Sequence, residues 1–168
     1  MVEAVVLEAL DAIDRQILAL LQDNGRMTNA ALAEAVGLTP TPMLQRIRKL
    51  EQAGVITGYR AVVDPAKVGR PVLAFVHVTL KSHGLAVHQR FLQLVEGLPE
   101  VLECHHIAGE EDFLVKIAVH DIAEVESFLL RRLSAAEVIG RVKTTFVLSS
   151  SKRSGAIVPR STGGEAQP

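Results

Sequence analysis

The amino-acid sequence predicts an α+β chain in two parts: a helix-turn-helix domain, joined through a strand linker to a βαββαβ domain of ferredoxin-like order. Three observations carry this reading. Apolar residues recur at helical spacing from Leu10 to Ala53, alternate at strand spacing after Gly54, and from Pro71 onward run strand, helix, strand twice over.

In the first part, Ile13, Ile17, Leu20 and Leu21 follow Asp11, an N-cap candidate, and Gly25 closes the helix. A short second helix follows "MTN", with Thr28 as its cap and Leu32 and Val36 facing inward. Gly37 ends it with the left-handed backbone that a sharp turn needs. The third helix opens in "GLTPTPMLQRIRKL" and ends at Gly54. Proline is harmful inside a helix but acceptable in its first turn, where the N–H groups have no internal partner. With Thr39 as N-cap, Pro40 takes the first helical position and Pro42 the third, while Thr41 is pulled away from helical backbone by the proline after it.

After Gly54, "VITGYRAVVDP" alternates through Tyr59, Ala61 and Val63 as a strand, and Asp64-Pro65 with Gly69 and Pro71 marks a linker. Beyond it "VLAFVHVTL" reads as a strand, Val87, Phe91, Leu94 and Leu98 share a helical face, and "VLECHHIA" is a second strand. "DFLVKIAV" places Phe113, Val115, Ile117 and Val119 on one face. A helix then starts at Asp121 with Glu124 completing an acidic capping box, and "VIGRVKTTFVL" closes the series. A four-stranded sheet covered by helices on one side leaves the other bare, populated by Phe75 or Val76, Leu114 and Val147. Such a face predicts a dimer. The expected domains are residues 1–63, a linker at 64–70, the βαββαβ domain at 71–148, and a mostly disordered tail at 149–168 that is rich in Ser, Gly and Pro.

Composition narrows the function. Of 168 residues 48% are apolar, enough for a core, yet no run reaches the roughly 18 residues of a membrane span. The opening "MVEAVVLEAL" carries acids where a secretory signal carries bases, and the lone Cys104 forms no internal disulfide, so a cytoplasmic protein is expected. A net charge of −1 decides nothing about a nucleic-acid partner, so that question rests on local charge. On the third helix Met43, Leu44, Ile47 and Leu50 gather on one side. Thr41, Gln45, Arg48, Lys49 and Gln52 lie opposite, with Arg46 at the flank. Glutamine pairs bidentately with adenine, arginine with guanine, and lysine and threonine hold phosphates. Taken alone this is an ordinary solvated helix face; the preceding helix and turn make it a recognition helix.

At these residues the chain resembles the leucine-responsive and asparagine-responsive (Lrp/AsnC) regulators of bacteria and archaea, over about Leu10 to Leu148. The "TPTP" entry, "RIRKLE", the "GVITGY" exit and the aspartate-proline linker carry the likeness. The resemblance implies a winged or hinged helix-turn-helix joined to a βαββαβ regulatory domain. It implies a transcription regulator that binds partly palindromic double-stranded DNA as a homodimer, assembled further into octamers, and responds to an amino acid or related metabolite. With it come no cofactor and a place in the cytoplasm on the nucleoid. The candidate DNA-binding residues are Thr28, Thr39, Thr41, Gln45, Arg46, Arg48, Lys49 and Gln52. The family's ligand loop reads Gly-Asp-x-Asp-Tyr; here it is "GEEDF", so Gly109, Glu110, Asp112 and Phe113 are the candidate effector residues, with glutamate and phenylalanine as departures. A loop of this kind could hold an ammonium on its carboxylates and a carboxylate on its N–H groups. Read without the resemblance, "GEED" is a solvated hairpin turn.

"ECHH" looks metal-like, but on a strand only Glu103 with His105, or Cys104 with His106, share a face, so no metal is expected. No Ser-His-Asp or Cys-His arrangement and no phosphate-cradling glycine loop is assignable, so no catalytic residue is assigned and an enzyme is not expected. The competing reading is a metabolite-binding ferredoxin-like module, or small enzyme, whose helical domain only mediates assembly.

Overall fold

The computed structural model describes residues 10–133, 137–152 and 155–159. The opening nine residues and the end of the tail, including Arg153 and Arg160, lie outside the described residues. Two compact units result: one holds the described residues up to Ala61 and those from Lys152 on, the other is Val62–Ser151.

The first unit contains helices α1 (Ala12–Asp23), α2 (Asn29–Ala35) and α3 (Pro40–Gln52). Asp11 caps α1 through a reciprocal box, accepting from the Asp14 N–H at 2.8 Å while Asp14 accepts from the Asp11 N–H at 3.3 Å. The helix ends at Asp23 with Asn24 as cap, one residue before the expected glycine. Thr28 caps α2 by accepting from the Ala31 N–H at 3.2 Å. Gly37 turns the chain at φ 71°, and the Leu38 N–H reaches back to the Ala33 carbonyl at 2.8 Å, which closes the tight corner before α3. Ile17, Leu32 and Met43, one from each helix, are wholly buried together with Ile47 and Leu50. Each such side chain contributes about 1.5–3 kcal/mol.

The alternation through Tyr59, Ala61 and Val63 does not become a strand. A strand exists only where a neighbouring edge takes its N–H and C=O groups, and no described segment pairs with residues 55–63. Val62 is fully solvent-exposed and Val63 exposed. The segment is tied at its start, where the Val55 and Ile56 N–H groups donate to the Leu50 carbonyl, and at Tyr59, whose hydroxyl donates to Glu51 Oε1 at 3.1 Å. In the tail, the Gln22 side-chain amide brackets the Ile157 backbone. Gln22 Oε1 accepts the Ile157 N–H at 2.6 Å and its Nε2 donates to the Ile157 carbonyl at 3.0 Å. Ile157 and Pro159 thereby help line a cleft with Leu10, Leu18 and Leu21.

The second unit is a four-stranded antiparallel sheet of order β2-β3-β1-β4, from β1 (Val72–Leu80), β2 (Val101–His106), β3 (Phe113–Val119) and β4 (Ile139–Phe146). Helix α4 (Leu85–Glu96) and helix α5 (Ile122–Ser127) cover one face, and α5 runs on into a π-helical turn, Phe128–Leu133, that the sequence pattern did not announce. The Asp121 carboxylate caps α5 through the Glu124 N–H at 2.8 Å. Glu124 itself takes the N–H of His120 at 2.6 Å instead of that of the cap, so the expected capping box closes one residue early. Ala74, Val76 and Val78 of β1 and Phe113, Val115, Ile117 and Val119 of β3 point under the helices with Phe91, Val95, Val125 and Phe128. Val76 is therefore core, and Phe75 is the β1 residue that faces the bare side. Register places Phe75 opposite Lys116 and Thr145, and His77 opposite Leu114 and Lys143. Val147 follows β4, its N–H on the Leu73 carbonyl at 3.0 Å.

Candidate functional site

Helix α3 presents what its sequence implied. Met43, Ile47 and Leu50 are buried and Leu44 is partly so, while Thr41, Gln45, Arg48, Lys49 and Gln52 are exposed along the opposite side. Among the described residues none of these five side chains makes a hydrogen bond or ion pair, so their polar groups are available to a partner. Thr39 has N-cap backbone (φ −87°, ψ 160°), but its hydroxyl makes no capping bond. One of its two possible donors is missing covalently. An N-cap side chain bonds the N–H of the second or third helical residue, and the third is Pro42, which has none. The two prolines leave Thr41 as the one N–H donor in the first three positions, beside an unspent Thr39 hydroxyl. A free N–H and hydroxyl at a helix start is a phosphate contact in outline.

Arg46 is differently placed. Its Nη1 lies 2.7 Å from Asp11 Oδ2 and 2.7 Å from Asp14 Oδ1, pinning α3 to the start of α1. Asp14 is buried, so this guanidinium is its countercharge. The Asp11 carboxyl is held below its ordinary value chiefly by the Asp14 N–H it accepts; burial opposes this, and the Arg46 guanidinium adds to the lowering. The same two carboxylates push the Arg46 pKa up. Thr28, also exposed, spends its hydroxyl on α2.

The second candidate site is the turn between β2 and β3, closed by the Ile107 N–H on the Asp112 carbonyl at 3.0 Å. Gly109 and Glu110 are exposed, and a Cβ at Gly109 would meet nothing within 4 Å. No internal clash therefore requires glycine there; an unobstructed backbone suits a ligand approaching from outside. Among the described residues no acceptor takes the N–H groups of Ala108 to Glu111, which leaves a short row of donors for an anion. The Asp112 carboxylate, by contrast, is spent inside the protein: Oδ2 accepts the Leu80 N–H at 2.7 Å and Oδ1 lies 3.2 Å from His83 Nδ1. Phe113 is wholly buried, its ring 4.5 Å from that of Phe91 and 4.8 Å from that of His88. Of the four effector candidates, Gly109 and Glu110 face outward while Asp112 and Phe113 brace the turn from behind. Glu111, absent from that set, lies 3.9 Å from His77 Nδ1 on the bare face of the sheet, a contact no sequence spacing signals.

Glu103 and His105 share a face as strand alternation required, 3.3 Å apart, and Lys116 bonds Glu103 at 2.8 Å. That lysine bond is the main reason the Glu103 carboxyl sits below its ordinary value. Among the described residues no helix is long and apolar enough to cross a membrane.

Comparison with known proteins joins the two sites. Residues 10–57 match a winged helix-turn-helix DNA-binding model and residues 73–157 the Lrp/AsnC ligand binding domain. The chain belongs to the Lrp/AsnC family. It is 38% identical to the leucine-responsive regulatory protein of Haemophilus influenzae over 90% of this chain and 91% of that one. It is 40% identical to the protein of the same name from Rhizobium meliloti over 88% and 95%. Among solved structures, a Neisseria meningitidis transcriptional regulator crystallised with L-methionine superposes at a TM-score of 0.84, with 34% identity over 88% of this chain and 96% of that one. An AsnC family regulator from Agrobacterium tumefaciens gives 0.83, with 36% identity over 88% and 96%. This Lrp/AsnC chain is thus a transcriptional regulator with a DNA-binding helix-turn-helix and a ligand-binding α+β domain. Its relatives are regulators, not enzymes.

Proposed function

We propose that this Lrp/AsnC regulator reads the major groove with Thr41, Gln45, Arg48, Lys49 and Gln52, and holds flanking phosphates through Thr39 and the start of α2 at Thr28. It binds partly palindromic sites as a homodimer that assembles into octamers on the nucleoid, in the cytoplasm. The observation that carries this is the outer face of α3: a row of exposed glutamine, arginine and lysine with no partner among the described residues, on a helix anchored by buried residues behind it. Arg46 serves the same end from inside, by fixing α3 on α1. The effector is an amino acid, its carboxylate met by the N–H groups of Ala108 to Glu111 and its ammonium by Glu110. The L-methionine complex of the Neisseria relative supports that class. Dimers form through the bare sheet face around Phe75 and Leu114.

The test is fluorescence anisotropy on the promoter of the protein's own gene, repeated across the twenty amino acids with sizing of the complexes. Arg48→Ala with Lys49→Ala should reduce specific affinity at least a hundredfold, flatten its salt dependence, and leave the oligomer intact. Retained specific affinity would remove α3 from the interface. Glu110→Ala should blunt the effector response while sparing effector-free DNA binding.

A further inference from the structure

At the end of the β2–β3 hairpin away from the 107–112 turn lies a second cavity, of about 430 Å³, lined by Glu100, Glu124, Ser127, Phe128, Arg131 and Arg132. Strand β2 separates the two places by six residues, roughly 20 Å. Glu100 immediately precedes β2, and its backbone carbonyl is held by the Ala118 N–H at 2.9 Å. Its side chain is a carboxyl group withdrawn from solvent: 9% exposed, with Oε2 buried and without a hydrogen-bond partner among the described residues. A buried carboxylate oxygen left unbonded costs free energy, and such groups normally find a donor. The terminal torsion of a glutamate is soft, so a small rotation turns that oxygen to the cavity it lines.

The other charges define which donor. Arg131 and Arg132 are exposed on the π-helical turn, and neither is ion-paired among the described residues. The wider winding of that turn re-aims them relative to an α-helical continuation. Glu124 gives Oε2 to the His120 N–H, while its other carboxylate oxygen makes no hydrogen bond among the described residues. Among the described residues the cavity therefore offers two carboxylates, the buried Glu100 and Glu124, and two guanidinium groups, with Ser127 and Phe128 completing the lining. A simple anion would satisfy the arginines but face Glu100; a simple cation would do the reverse. A molecule with ammonium and carboxylate on one carbon satisfies both, and the volume leaves room for its side chain. We infer that this cavity is a second amino-acid-binding site, separate from the 109–112 loop: Glu100 takes the α-ammonium and Arg131 and Arg132 the α-carboxylate.

Isothermal titration of the full chain with each of the twenty amino acids, and with methylamine, acetate and inorganic phosphate, tests this. At least one amino acid should bind in a class of sites that Glu100→Gln and Arg131→Ala with Arg132→Ala each weaken tenfold or more, and that Glu110→Ala leaves unchanged. Methylamine and acetate should not compete. The arginines are exposed, so the double variant reports even where Glu100→Gln alters folding, which circular dichroism monitors. Isotherms unchanged by the arginine variant, absence of amino-acid binding in every titration, or phosphate binding as tightly as the amino acid would overturn the inference. DNA affinity without effector, measured alongside, judges the α3 reading independently, because this cavity has no part in it.

Discussion

Two threonines at the starts of successive helices look alike in sequence and differ in physics. Thr28 spends its hydroxyl on the Ala31 N–H, so Thr28→Ala should cost about 1 kcal/mol of stability in chemical denaturation. Thr39 has no such bond because the third helical residue is proline. Thr39→Ala should therefore leave the denaturation midpoint nearly unmoved while weakening DNA binding. Arg46 reverses that pattern: Arg46→Ala strips the countercharge from buried Asp14 and should cost about 2 kcal/mol, with DNA affinity falling only as the fold loosens. The linked acid sensitivity has a definite sign. The Asp11 pKa is lowered in the folded state, so the stability its charge contributes is present above the ordinary carboxylate value of 3.8 and is lost as pH falls through the lowered one. Urea midpoints between pH 5 and pH 2 should drop less steeply in Arg46→Ala than in the parent chain. The contrast between Thr28 and Thr39 was legible from Pro42 at the third helical position, but the duty of Arg46 was not. The pattern located the residues on α3, but the bond from Arg46 to Asp11 and Asp14 spans more than thirty positions and comes from the packing of two helices.

Among elements, strands β1 and β3 were legible because burial on one face alone imposes alternation: Ala74, Val76 and Val78 against Val115, Ile117 and Val119. The stretch through Tyr59 and Val63 alternates as well, yet alternation states only which side each residue faces. Pairing needs a second edge, and residues 55–63 have none among the described residues. The π-helical turn was hidden for the opposite reason: one extra residue per turn leaves almost no mark on a six-residue apolar pattern. The exposure of Gly109 and Glu110 was legible as that of any polar turn, whereas the inward duty of Asp112 depends on Leu80, thirty-two positions away. Asp112→Ala should therefore loosen the joined ends of β1 and β3, read as faster amide exchange at Leu80, whatever it does to effector response. Gly37 and Gly54, at φ 71° and 68°, sit in open space. Gly37→Ala should cost about 1–2 kcal/mol from backbone conformation alone, at the corner that aims α3.

For the whole molecule, the proposed homodimer rests on the bare face of the sheet. Phe75 and Leu114 form an apolar centre ringed by His77, Lys116, Lys143 and the Glu103–His105 pair, an arrangement that a two-fold axis can match with itself. Leu114→Lys should shift the protein to monomers in sedimentation velocity and weaken binding to a two-half-site DNA far more than to a single half-site. The monomer fold should survive, because Leu114 is outside the core under α4 and α5.

The amide of Gln22 that brackets Ile157 also bears on how the protein is made. The two residues are 135 positions apart, so α1 leaves the ribosome long before the segment that completes its surface. At about 5–20 residues per second that interval is roughly 7–27 s, during which the whole βαββαβ unit is synthesised. The first unit to emerge is thus completed only after the second has been made, and for that interval its cleft at Leu10, Leu18 and Leu21 lacks the wall that Ile157 and Pro159 supply.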